Sequence, residues 1–144
     1  MNSGGHGSYQ IFSEDDFVYA RLYDSWNTVT TQQYSQQLTN VVNQFKQQPW
    51  SAIFDFRRWQ LMTPESIPIM REQINWALQH KLSHCIYLVE QSGILQFLVQ
   101  RVHAELVPHH CKFVQLNSIS ACQQQLADWQ IALPESIAQQ LNAN

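Results

Sequence analysis

The chain has 144 residues, of which 44% are apolar and 13% charged, and its net charge is −3. That length suits one domain with a buried core, and the slight negative charge, with no Lys/Arg run, leaves no electrostatic footprint for nucleic acid or anionic lipid. The longest apolar stretches, such as residues 85–89, are far too short to span a bilayer, and residues 1–7 lack the basic and apolar regions of a secretory signal.

Three cysteines without paired spacing argue against a disulfide framework and for a reducing, cytoplasmic setting. Glutamine takes the place of charge, with 21 residues against three lysines, dispersed as on solvated helix surfaces rather than in a polar tract.

Residues 1–7 read as a flexible tail. Tyr9–Phe12 and Phe17–Tyr23 read as a hairpin joined by Glu14-Asp15-Asp16, with Val18, Ala20 and Leu22 on one face of the second strand. Thr30 with Gln33 forms a capping-box pattern ahead of Tyr34, Leu38, Val41, Val42 and Phe45 at helical spacing, and Pro49 stops that helix. A buried strand over 50–56 follows, then a helix from about Ser66 to His80 with Pro68 in its first turn.

Leu82–Val89 reads as a strand buried on both faces, and Ser92 as the cap of a helix over 94–107 with Ile94, Phe97 and Leu98 in its repeat. A strand over 111–116 and a helix capped by Ser118 complete the domain at about residue 130. Residues 131–144 form an extension with at most a short helix. The order β-β-α-β-α-β-α-β-α predicts an α/β single domain: a mixed, mostly parallel sheet of about five strands with four helices.

This order, the apolar strand Ala52-Ile-Phe-Asp-Phe56, the loop after it and Ala127-Asp-Trp129 near the end resemble the STAS domain and its SpoIIAA-like relatives over residues 8–130. The resemblance implies a regulatory module that binds a protein partner and performs no chemistry. Anti-sigma-factor antagonists of that group carry an Asp-Ser pair, a small residue and Gly where the second helix starts, the serine being phosphorylated. Here the stretch is Leu61-Met-Thr-Pro-Glu-Ser66, with neither Asp-Ser nor Gly. The candidate phosphorylation sites are therefore Thr63 and Ser66, whose simpler use is helix capping.

Parallel strands gather their carboxyl ends at one edge, the usual working surface of open α/β sheets. That edge should hold Asp24, Trp26 and Asn27, then Asp55, Arg57, Arg58 and Trp59, then Glu90 and Gln91. Exposed Trp and Arg are the types that concentrate binding energy, so these residues form the expected partner surface. The competing expectation has Asp55 bonding loop amides and the two tryptophans filling the border of the core.

No catalytic constellation, cofactor motif or metal site is expected. His84-Cys85, His103 and His109-His110-Cys111 lack zinc-ligand spacing, there is no G-x-S-x-G, and only four glycines exist. The alternative function is a small apolar-ligand carrier or sensor, with Tyr19, Tyr23, Phe54, Trp76 and Phe97 lining a pocket between sheet and helix. Edge pairing through Tyr9–Phe12 or an outer helix would support a homodimer.

Overall fold

The computed structural model describes residues 7–90 and 93–143, and does not describe the side chains of 93–95, 97 and 98. Readings that rest on the tail before Gly7, on Gln91, on the Ser92 cap, or on Ile94, Phe97 and Leu98 lie outside the described residues.

The elements are β1 (Ser8–Glu14), β2 (Phe17–Trp26), α1 (Thr28–Asn43), β3 (Trp50–Met62), α2 (Ser66–Gln79), β4 (Leu82–Leu88), α3 (Gly93–His103), β5 (Lys112–Leu116), α4 (Ile119–Asp128) and α5 (Glu135–Asn142). The five strands lie in sequence order, β1 antiparallel to β2 and the rest parallel. Asp15 and Asp16 both take positive φ, as a two-residue hairpin turn requires to match strand twist. The sheet is mixed and mostly parallel, as expected. The described helices number five rather than four, because α5 is a full element.

Alternation along the strands sorts the side chains into two cores. Val18, Ala20 and Leu22 of β2 and Ala52, Phe54 and Phe56 of β3 face α1, α2 and α3. Phe17, Tyr19, Ile53, Ile86 and Leu88 face the opposite way, toward α4 and α5. The result is three layers, with three helices over one face and two over the other. Ile137 and Leu141 of α5 are fully buried, so the terminal helix belongs to the second core. Glu14 also holds it by accepting from the Ser136 amide and hydroxyl.

Two element boundaries differ from their sequence reading. Asn27, not Thr30, caps α1, its side chain accepting from the Thr30 amide at 3.1 Å, and the helix begins three residues early. Strand β3 runs on to Met62 instead of ending at Phe56. Ser118 caps α4 as expected, accepting from the Ala121 amide, and Pro68 sits in the first turn of α2.

Candidate functional site

The carboxyl end of the sheet is built around the long pairing of β2 with β3. Pairing of β3 with β4 ends at Asp55 opposite Leu88, whereas β2 and β3 stay paired as far as Trp26 and Met62. A two-stranded ribbon therefore projects past the rest of the sheet. Two register shifts interrupt it, one between Arg21 and Tyr23 and one between Asp24 and Trp26, each giving β3 one residue more than β2. Such bulges re-aim side chains. Asp24 sits in the left-handed region beside the second, at φ +62, a conformation Asp tolerates better than most residues.

These bulges decide which expected residues reach solvent. Asp24, Arg58 and Glu90 are exposed, and Asn27 and Arg57 are half-buried. Trp26 and Trp59 are not surface residues: they are 1% and 6% exposed, and their rings meet edge to face at 6.0 Å inside the first core. The first shift breaks simple alternation and turns Trp59 inward with Phe56 and Met62. The Trp26 indole donates to the carbonyls of Tyr23 and Ser8, which fixes it beneath β1. Sequence reasoning missed Leu61, which is 47% exposed on the ribbon, and Val29, 36% exposed where α1 leaves it. The signal available was an aliphatic residue close to Arg58 in a strand, legible only if β3 is known to continue.

Asp55 is likewise internal, at 3% exposed. It points into the second core, where its carboxylate accepts from the Tyr19 hydroxyl at 2.7 Å, the Arg57 amide at 3.1 Å, and two guanidinium nitrogens of Arg57 at 2.9 and 2.8 Å. Residues two apart on a strand share a face, which makes this bidentate pair local. Burial pushes the Asp55 carboxyl up, but the bonds from Arg57 and Tyr19 outweigh it and hold it below its ordinary value.

Burial, opposed by a bond from Arg21 and aided by the Asp55 charge, lifts the Tyr19 phenol to about 12. Arg21 extends the network, donating to the Tyr19 hydroxyl, to Gln10 and to the Gln140 carbonyl near the end of α5. A buried charge with every partner present is a structural device. Asp55 has no acceptor left to offer an outside partner.

Thr63–Ser66 is a turn closed by the Ser66 amide on the Thr63 carbonyl, and the two side-chain hydroxyls lie 2.7 Å apart. Ser66 is fully buried while Thr63 is half-buried. Neither hydroxyl has the role of a free cap: Glu65 stands at the N-cap of α2 without a side-chain bond.

The expected apolar pocket is not assembled. Tyr19 pairs with Ile53 and Ala20 with Phe54, so Tyr19 and Phe54 lie on opposite faces of the sheet. Trp76 stacks on His80 at 4.1 Å. Small cavities do occur beneath α2 and α3, and of the expected lining residues Phe54 borders one of them. The histidines and cysteines also part company: His84 meets Trp129 at 4.8 Å, Cys85 lies in the first core, and His103 bonds the Tyr87 hydroxyl at 2.7 Å. All three cysteines are free thiols.

The chain matches no protein-family model and no curated protein. It is similar in structure to an uncharacterized protein of the DUF3478 family with a SpoIIAA-like fold from Shewanella loihica, at TM-score 0.61 and 12% identity over 88% of this chain and 98% of that one. It is also similar to the anti-sigma factor antagonist SpoIIAA in its unphosphorylated form, at 0.52 and 15%, covering 82% and 97%. The phosphorylated form of the Bacillus cell fate determinant SpoIIAA gives 0.53 and 15%, covering 82% and 99%. The chain has a SpoIIAA-like fold, which meets the resemblance read from the strand order. No helix among the described residues is long and apolar enough to cross a membrane.

Proposed function

We propose that the chain is a non-catalytic docking module, a STAS-like regulatory domain that binds a protein partner through the projecting end of β2 and β3. One observation carries the reading. Arg58 and Leu61 stand exposed on the ribbon, with Val29 in the first turn of α1 just past its far end. A large aliphatic side chain held out on a strand costs apolar hydration that a partner would relieve, and an adjacent guanidinium supplies directional bonding. Asp24 on β2 and Glu90 just past β4 add exposed negative charge at the same end of the sheet, giving a mixed surface suited to a protein. By analogy with the anti-sigma factor antagonist, the partner is a regulatory protein, and the three free thiols suit a cytoplasmic setting.

The phosphoswitch is not part of this reading. Of the two candidate hydroxyls Thr63 is the one a kinase can reach, since Ser66 is fully buried. Intact-mass measurement of protein from its own cells tests it, and a phosphorylated fraction would add Thr63 to the site.

The experiment for docking is affinity capture with the native chain and with the double variant Arg58→Glu, Leu61→Ser. Loss of the captured partner from the variant, with its fold unchanged by circular dichroism, supports the ribbon. Equal recovery by both forms removes it.

A further inference from the structure

Strand β5 forms one border of the sheet, with β4 on one side and no strand on the other. Its Leu116 carbonyl accepts from the Val89 amide, on the β4 side. Backbone groups alternate along a strand, so Lys112, Val114 and Leu116 direct theirs toward β4, and Phe113 and Gln115 direct theirs outward. Among the described residues no backbone hydrogen bond reaches Phe113 or Gln115 from beyond that border.

The side chains of β5 are also incompletely covered. Phe113, Val114 and Leu116 are half-buried, although Cys85, Ile86 and Leu88, their partners on β4, are fully buried. Two clefts of about 210 Å³ each lie along the strand. One separates β5 from α3 and is bordered by Gln100, His103 and Phe113. The other is bordered by Gln96, Leu116 and Asn117, and Gln115 borders both. No Asp, Glu, Lys or Arg lines either cleft. Border strands are commonly blunted by charge, proline or a bulge. In β5 the pairing has no register shift, there is no proline, and the only charge is Lys112 at its first position.

We propose that β5 pairs antiparallel with β5 of a second copy of this chain, joining the two sheets into one. The strand itself argues for this occupant. Placing its five residues opposite five sets the two-fold axis at Val114, the middle residue. Phe113 then faces the partner's Gln115, and the outward backbone groups of that pair exchange both hydrogen bonds, as do those of its symmetry mate. Val114 meets the partner's Val114 as a close, non-bonded pair. Lys112 lies opposite the partner's Leu116, so the two lysines stand roughly 14 Å apart along the strands and like charges do not meet. On the cleft side the partner's Phe113 comes beside Gln115, where the two clefts join, and an uncharged ring suits walls without charge. Those clefts favour β5 over β1 as the pairing border. The contact uses neither Arg58 nor Leu61 and is independent of the docking ribbon.

Sedimentation equilibrium of the full chain across about 1 μM to 1 mM, the span of weak affinities, tests the association. The average mass is expected to climb from one chain toward two. Gln115→Pro removes an outward N–H while sparing the bonds to β4, so half of the new bonds are lost. It should weaken the dimer at least about tenfold. The register is read by oxidation in a Cys111→Ser background. Val114→Cys should give a disulfide-linked dimer on a non-reducing gel, because the two-fold places that residue against itself, and Lys112→Cys should not. A native chain that stays monomeric throughout, a dimer undiminished in folded Gln115→Pro, or equal cross-linking at 112 and 114 would each overturn the proposal. The native mass and the cross-links decide it even if the proline variant does not fold.

Discussion

Trp26 and Trp59 look alike in sequence, each following charged or polar residues at the end of a strand, and both lie in one core. Their indole nitrogens differ. That of Trp26 donates to two carbonyls, while that of Trp59 has no hydrogen-bond partner among the described residues. Trp26→Phe should therefore cost about 1–3 kcal/mol, and Trp59→Phe should be neutral or stabilising because it deletes an unpaired donor. Urea unfolding of the two variants checks the contrast. Equal losses would mean that both nitrogens are bonded in solution.

Titration supplies a second contrast at the same scale. Burial, with a smaller push from His109, lowers His103 from 6.5 to about 4. The unfolded chain then binds a proton that the folded chain refuses, so stability falls as pH drops from 6.5 toward 4. Asp55 acts lower. Its folded value lies below the ordinary 3.8, so its contribution is whole above 3.8 and is lost as pH falls beneath it. Urea midpoints measured across this range should flatten in the upper window for His103→Gln and in the lower one for Asp55→Asn. A slope unchanged by either variant contradicts the assignment.

Among the elements, α5 was the least legible from sequence. Ile137 and Leu141 offer only one apolar spacing of four residues, a weak helical signal next to Pro134. Its place comes from tertiary contacts: two fully buried side chains, the Glu14 bonds to Ser136, and Arg21 on the Gln140 carbonyl. An arginine near a helix C-terminus answers an otherwise unpaired carbonyl. Ile137→Ala should cost about 2–5 kcal/mol, and removal of residues 131–144 should lower the urea midpoint further still. A truncated chain as stable as the whole would place α5 outside the core.

Strand β3 shows the opposite limit. Its core stretch was plain from the continuous apolar run, but Arg57-Arg58-Trp59 resembled a loop because period-two alternation fails there. The bulges are the reason, since one extra residue reverses the facing of everything beyond it. No single sequence marks where a bulge falls. Exposure of Asp24, Arg58 and Glu90 could be anticipated from residue type and strand order, whereas sequence left burial of the tryptophans and internal bonding of Asp55 as a competing expectation that only the bulged register decides.

For the whole molecule, the strand order and the two apolar faces follow from alternation and right-handed crossovers, and they bring the carboxyl ends together. The docking surface we propose is narrower than the sequence implied. It is the tip of one ribbon, with an exposed aliphatic residue in place of exposed indoles. Trp26, Trp59 and Met62 anchor that ribbon in the first core, and a surface already held in place lowers the ordering cost of binding.

Hydrogen–deuterium exchange of the full chain, alone and with its captured partner, measures this most directly. Slowed exchange concentrated in residues 57–62 and at Val29 is the predicted footprint. Protection that spares the ribbon and falls elsewhere on the surface would contradict it.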